Sequence, residues 1–295
     1  MQDFVCGYVA VAGRPNVGKS TLVNKLLNWP LSIISRKPQT TRHKLLGILS
    51  GDAYQVIFLD SPGLMVPGYA LQKMMVNTAW SAVDEADLVL LLAEPRKDDL
   101  NGETGILEHL GRLKKRVILA INKIDIVRKA DLLPLIEFYK GLFPFCEIVP
   151  ISALKDDGLD ILKKMIIAGL PHQQPFYPAG EVTDRPQRFF VGEIIRQKVF
   201  ERFGEEIPYS VAVVVEEYKE REVSKDYVKA VVVCEKPSQK AILIGKGGAA
   251  IKRLGRAART EIEAFVGKDV FLELKVEVRE NWRREERTVR QLGQT

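Results

Sequence analysis

One eight-residue stretch constrains this chain more than any other. Gly13-Arg-Pro-Asn-Val-Gly-Lys-Ser20 follows an apolar run at 8–12 and leads into the helical spacing of Leu22, Leu26 and Leu27. Strand, glycine-bearing turn and helix, in that order, form the setting that a GxxxxGK[ST] pattern needs. Glycines let the backbone wrap an anion, and successive N–H groups with the helix N-terminus point at it. The expected phosphate contacts run through Gly13, Arg14, Pro15, Asn16, Val17, Gly18, Lys19, Ser20 and Thr21. Lys19 would bridge the outer phosphates and the Ser20 hydroxyl would ligate Mg²⁺. The competing reading is a plain glycine turn, but average composition yields this pattern by chance in roughly one chain per hundred of this length.

Such a loop belongs on a parallel sheet, and the apolar runs agree. Strand-like stretches at 8–12, 45–50, 55–60, 88–93, 117–121 and 147–150 alternate with helical spacings such as Leu132, Leu135, Ile136 and Tyr139. That alternation predicts βαβ units in a doubly wound sheet. Gly51-Asp-Ala53 leaves no room for a helix, so the second and third strands are predicted to form an antiparallel hairpin. Four prolines, Pro171, Pro175, Pro178 and Pro186, interrupt any element at 171–187 and mark an interdomain linker. A first domain is thus expected at 1–170. Beyond the linker the order becomes α-β-β-α-α-β, with helices at 189–203, 238–243 and 249–266 and strands at 209–217, 227–234 and 270–278. That fills a second domain at 188–280, and the charged tail at 281–295 reads as a short surface helix.

Asn122-Lys-Ile-Asp125 lies just past the strand at 117–121, on the edge where such folds bind ligands. An ionised Asp125 accepts both the N1 proton and the 2-amino protons of guanine, which adenine does not offer. Lys123 belongs to the same turn, and Ser152-Ala153 after the next strand completes a base pocket. Asp60-Ser-Pro-Gly63 closes the third strand. There Asp60 is expected to hold the Mg²⁺ shell through water, and the Gly63 N–H to reach the γ-phosphate. In the intervening loop Gln39-Thr-Thr-Arg-His43, Thr41 is the expected Mg²⁺ ligand that orders only with γ-phosphate in place. Lys19, Thr41 and Gly63 therefore carry the catalytic assignment. The position after Gly63, where many GTPases place a glutamine to orient water, is Leu64. Hydrolysis is thus expected to be slow alone, resting on Mg²⁺, Lys19, backbone amides and a monovalent cation such as K⁺ with Asn16 as its ligand.

The chain carries a net charge of +6, divided evenly between residues 1–180 and 181–295, so bulk charge locates no binding face. A window does. Lys240, Lys246, Lys252, Arg253, Arg256 and Arg259 fall within 240–259 without one acidic residue. Ile244-Gly-Lys-Gly-Gly248 lies inside it, between two helical stretches. A GxxG loop so placed is the element with which KH domains clamp single-stranded nucleic acid. Ile244, Gly245, Lys246, Gly247, Gly248, Lys252, Arg253 and Arg256 are the expected RNA contacts, although a solvated helix face would explain the charges alone. Gly102-Glu-Thr-Gly105 has the same spacing but acidic flanks and reads as a decoy.

In order, these motifs resemble the Era family of GTPases across essentially the whole chain. The resemblance implies an α/β fold, with a doubly wound P-loop GTPase sheet followed by a smaller α+β, type II KH domain. It also implies a monomer using GTP, GDP and Mg²⁺, which binds the 3′ end of small-subunit ribosomal RNA and acts in 30S subunit assembly. Localisation is expected to be cytoplasmic, with peripheral attachment to the membrane. The start of the chain shows no charged region or cleavage site, and its apolar runs are strand-sized. Cys6, Cys146 and Cys234 stand apart from any ligand pattern and are expected to be buried thiols. Two other classes compete: an RNA-binding scaffold that keeps GTP as a structural ligand, and a P-loop nucleotide kinase. DNA is an alternative ligand for the GxxG loop.

Overall fold

The computed structural model describes residues 4–35, 37–97, 100 and 105–293. They divide into two compact units, the first reaching Asp184 and the second starting at Arg185; the second also takes in Tyr69–Leu71. The decoy at 102–105 lies outside the described residues except for Gly105.

The first unit is a six-stranded sheet. Its elements are β1 (Val5–Gly13), α1 (Lys19–Leu27), β2 (Leu45–Gly51), β3 (Tyr54–Asp60), α2 (Ala70–Glu85) and β4 (Leu88–Ala93). There follow α3 (Ile106–Leu113), β5 (Arg116–Ile121), α4 (Lys129–Lys140), β6 (Glu147–Pro150) and α5 (Leu159–Ala168). The strand order is β2-β3-β1-β4-β5-β6. β2 pairs antiparallel with β3, and the other neighbours pair parallel. A parallel sheet covered on both faces needs strands apolar on both sides, and every residue of β4 is buried. Register then aligns the strand ends: Val11 faces Asp60, Gly13 faces Leu92, and Ile121 faces both Ala93 and Pro150. All the motif-bearing turns therefore leave the sheet at one edge.

The proline-bearing segment does not run free. Up to Asp184 it belongs to the first unit. Cys6 N donates to Pro171 O, and Ile48 N donates to Val182 O. The buried Gln55 amide accepts from Phe176 N and Tyr177 N and donates to Tyr177 O. Of the three thiols, Cys6 and Cys234 are buried, but Cys146 is exposed, against expectation. Its backbone N–H pairs with Val117 O one residue ahead of β6, which turns the side chain outward.

The second unit contains α6 (Gln187–Arg202), α7 (Ile207–Ser210), β7 (Ala212–Lys219), β8 (Asp226–Cys234), α8 (Pro237–Ile244), α9 (Ala249–Val266), β9 (Val270–Val278) and α10 (Glu286–Gly293). Its sheet order is β7-β8-β9, antiparallel then parallel. Val228, Ala230 and Val232 of β8 pack against Ile195, Val199, Leu254 and Ile262 in one core. The structure differs from expectation at two places. The strand expected from 209 begins at Ala212, because Pro208 starts a short helix and Ser210 Oγ donates back to Ile207 O. The tail is not confined to the surface either. Trp282, Val289 and Leu292 are buried, and Trp282 Nε1 donates to Ser210 O at 2.9 Å. No helix among the described residues is long and apolar enough to cross a membrane.

Candidate functional site

The Walker turn folds tightly against its neighbours. Gly18 sits at φ 99° immediately before α1, and Asn16 takes φ 65°. Lys19 is 6% exposed, its Nζ donating to Gly13 O at 3.1 Å and Arg14 O at 2.9 Å, so the ammonium lies inside the curve of the loop. Gly63 closes over it. A Cβ there would stand 2.7 Å from Pro15 N, and Leu64 N donates to Gly13 O.

Hydroxyls and a carboxylate converge beside the loop. Ser20 Oγ and Thr41 Oγ1 share a hydrogen bond of 2.8 Å, and Ser20 Oγ lies 3.0 Å from Asp60 Oδ2. Asp60 is fully buried, and its Oδ1 has no hydrogen-bond partner among the described residues. Burial pushes the Asp60 carboxyl above its ordinary range, against the pull of the Ser32 hydroxyl, the Lys19 charge and the Ser20 hydroxyl. A hard-oxygen set with one buried oxygen left over suits Mg²⁺, which keeps several waters and takes few protein ligands.

The Asn122 side chain ties the base-side turns to the Walker turn. Its Nδ2 donates to Val17 O at 2.7 Å and its Oδ1 accepts from Ala153 N at 2.9 Å. Asp125 Oδ1 accepts from Ser152 Oγ at 2.5 Å, which fixes the carboxylate. Lys123, at φ 66°, pairs with Glu94. The structure thus brings together Gly13–Ser20, Thr41, Asp60, Gly63, Asn122, Ser152 and Ala153 in one linked network.

In the second unit, α8 ends on Gly245, and Lys246–Gly248 makes a single 3-10 turn into α9. Gly247 has φ 58° and Gly248 φ 77°, and neither would meet anything within 4 Å through an added Cβ. Lys246, Lys252, Arg253 and Arg256 are exposed, whereas Leu254, Ala258 and Ile262 face the core. An N–H-bearing open turn with cations along one helix face can approach a phosphate backbone closely.

A family model described as a 50S ribosome-binding GTPase matches residues 8–123, and a KH-domain model matches residues 206–283. GTPase Era of Geotalea uraniireducens is 44% identical over 292 residues, covering 99% of this chain and 98% of that protein. This chain belongs to the Era family of GTPases. A chloroplastic GTPase ERA-like protein of Arabidopsis thaliana is 42% identical over 97% of this chain and 68% of its own length. Among solved structures, an Aquifex aeolicus Era variant bound to GDP and AlF4⁻ superposes with a TM-score of 0.93 at 40% identity. It covers 98% of this chain and 99% of its own. An Era complex with MgGDPNP and nucleotides 1506–1542 of 16S ribosomal RNA matches with the same score, identity and coverage. The fold is that of an Era GTPase: a P-loop sheet followed along the chain by a KH domain.

Three features of this Era-family site escape a motif reading. Leu64 is 1% exposed, so the position where many GTPases carry a glutamine points into the core instead of at a water. Ile242, on α8 just before the GxxG loop, is 52% exposed, and its place in an otherwise apolar run hid it. Ser32, in the loop after α1, donates to Asp60 Oδ2 at 2.5 Å, and no motif contains it.

Proposed function

We propose that this chain is a GTP-hydrolysing switch that grips the 3′ end of small-subunit ribosomal RNA through its KH unit and acts in 30S subunit assembly. The observation that carries this reading is one chain holding both a guanine-type pocket and an open, basic GxxG turn. The Era complex with MgGDPNP and 16S RNA supports the pairing of those two ligands.

Within the pocket, Asp125 reads the base edge while Ser152 holds its carboxylate, and Ala153 N is fixed by Asn122 to border the guanine oxygen. Lys19 and the N–H groups of the Walker turn neutralise the β- and γ-phosphates. Bound Mg²⁺ adds charge neutralisation at the phosphate oxygens. Ser20 and Thr41 would offer it hydroxyls, and the Asp60 carboxylate beside them would serve its outer shell. The Thr41 hydroxyl is held by Ser20 Oγ at 2.8 Å, on the Walker turn itself, which suits a residue that responds to the γ-phosphate. With Leu64 buried, no side chain at that position aims the attacking water. Hydrolysis is therefore slow without RNA or ribosomal subunits, and Asn16 is the place for a K⁺ that would assist it. This reading includes a monomer in the cytoplasm with peripheral attachment to the cell membrane, supported by the family resemblance.

The test is multiple-turnover phosphate release with and without an RNA bearing the 16S 3′ end, for wild type and Asp125→Asn. In the variant, Ser152 Oγ–H draws the new carbonyl oxygen and leaves the amide N–H₂ for the base. Release is expected to move from GTP to xanthosine triphosphate, with GTP use down on the order of a thousandfold, and RNA stimulation is expected to follow the nucleotide. Unchanged GTP use in the variant would overturn the guanine assignment. RNA that leaves turnover unchanged in both would favour the scaffold reading.

A further inference from the structure

Asp60 is held from one side. Its Oδ2 accepts from Ser20 Oγ at 3.0 Å and from Ser32 Oγ at 2.5 Å, while Oδ1 is buried and has no hydrogen-bond partner among the described residues. Ser20 belongs to the Walker turn. Ser32 belongs to nothing the motifs describe, yet it is 8% exposed and carefully held. Asn24 of α1 clamps its backbone in both directions, Nδ2 donating to Ser32 O at 2.8 Å and Oδ1 accepting from Ser32 N at 3.0 Å.

We propose that Ser32, clamped by Asn24, is a positioning residue that locks the Asp60 carboxylate with Oδ1 toward the magnesium shell, and so sets the Mg²⁺ dependence of nucleotide retention. The division of labour is visible in the contacts. The clamp uses only Ser32's backbone groups, so the loop keeps its path without the hydroxyl. The hydroxyl is then spare, and it goes to Asp60 in a bond whose length is that of a charge-assisted O–H···O⁻ pair. Two donors on Oδ2 stop the carboxylate from exchanging its oxygens by rotation. What remains for a metal-bound water is one oxygen in one place. Groups that orient a metal's ligands in this way typically change metal affinity by about 10–100-fold when removed.

The inference rests on Asp60 being the carboxylate that faces the metal, so the experiment carries a variant for each step. Full-length protein is loaded with fluorescent GDP, and release is followed from EDTA up to millimolar Mg²⁺. Ser32→Ala is expected to raise the Mg²⁺ concentration needed for half-maximal retention by about tenfold or more, while release in EDTA stays at the wild-type rate. Asp60→Asn, run in parallel, is expected to remove most of the Mg²⁺ dependence. If Ser32→Ala speeds release equally with and without Mg²⁺, the hydroxyl merely packs the loop and the proposal falls. Wild-type behaviour in Ser32→Ala also overturns it, while leaving Asp60's role intact. A wild-type Mg²⁺ profile in Asp60→Asn removes the reading on which it stands. Should Ser32→Ala not fold, Ser32→Cys keeps the size with a weaker donor, and the same shift, smaller, is required of it.

Discussion

Two glycine turns are assigned to phosphate in the proposed function, and they use glycine differently. At the Walker turn the protein itself crowds the backbone. A Cβ on Gly18 would stand 2.2 Å from Asn122 Nδ2, and one on Gly63 would reach Pro15 N at 2.7 Å. At the GxxG turn the crowding stops at the first glycine: a Cβ on Gly245 would stand 2.7 Å from Ala250 Cβ, whereas Gly247 and Gly248 have no neighbour within 4 Å of an added Cβ. The first loop is preorganised by its own packing, with Lys19 buried inside it and Asn122 bonded to Val17 O. The second is held by its own bond from Gly248 N to Gly245 O and leaves Lys246 and Gly247 exposed. A preformed turn holds a compact anion through many fixed donors. An open turn beside a cationic helix face grips an extended backbone, with affinity that depends on salt.

The sharpest way to break that contrast is a methyl group. Gly18→Ala places its Cβ against Asn122 Nδ2 at φ 99°, where an L side chain is strained by about 1–3 kcal/mol before any clash. Asn122 cannot step aside without releasing Val17 O and Ala153 N. Nucleotide binding is expected to be lost, with a lower unfolding temperature. Fluorescent-GDP titration and a thermal melt report both. Wild-type GDP affinity in this variant would mean that the turn is not closed by packing.

The corresponding attack on the open turn needs charge, because space alone is not limiting there. Lys246→Asp with Gly247→Asp turns one cation into two carboxylates facing the phosphates. Aspartate tolerates the left-handed backbone at 247 better than most residues, so the fold is expected to survive. RNA affinity is expected to fall by on the order of a hundredfold while GDP affinity stays put. A loss of both would show that the open turn has a structural duty after all.

Legibility from sequence followed the same divide between short-range rules and long-range packing. The Walker turn, the hairpin at Gly51-Asp-Ala53 and the GxxG turn are written in local spacing, so motif and element appear together. Antiparallel β2–β3 follows from a turn too short for a crossover. The Asn24–Ser32–Asp60 chain is not local: it joins a helix, an irregular loop and a strand end, and no residue in it breaks a pattern. The same holds for Gln55, an ordinary strand glutamine until its amide meets Phe176 and Tyr177. In the tail, charge hid Trp282, because one buried indole among arginines and glutamates gives no periodicity. Composition also misled at Cys146, since cysteines are usually buried and this one lies just outside a strand.

The gentlest test separates the turn from its helix. Arg253 and Arg256 are both exposed on α9, opposite the buried Leu254 and Ala258, and neither has a salt-bridge partner among the described residues. Arg259, one turn further, is partly engaged with Glu263 at 3.6 Å and is a poorer candidate for a phosphate. Replacing Arg253 and Arg256 with alanine keeps helix propensity high and touches no core side chain, so stability is expected to hold. Each lost phosphate contact on a single strand lowers the slope of log affinity against log salt by about 0.7. The double variant is therefore expected to bind RNA less tightly at low salt, to converge on wild type as salt rises, and to show a slope flatter by about 1.4. The measurement is RNA affinity across a salt series for wild type and variant, with circular dichroism as the folding control. A parallel offset at every salt concentration would mean that the arginines stack on bases instead of meeting phosphates. No change at all would leave the helix face merely solvated, and the open turn would have to grip RNA alone.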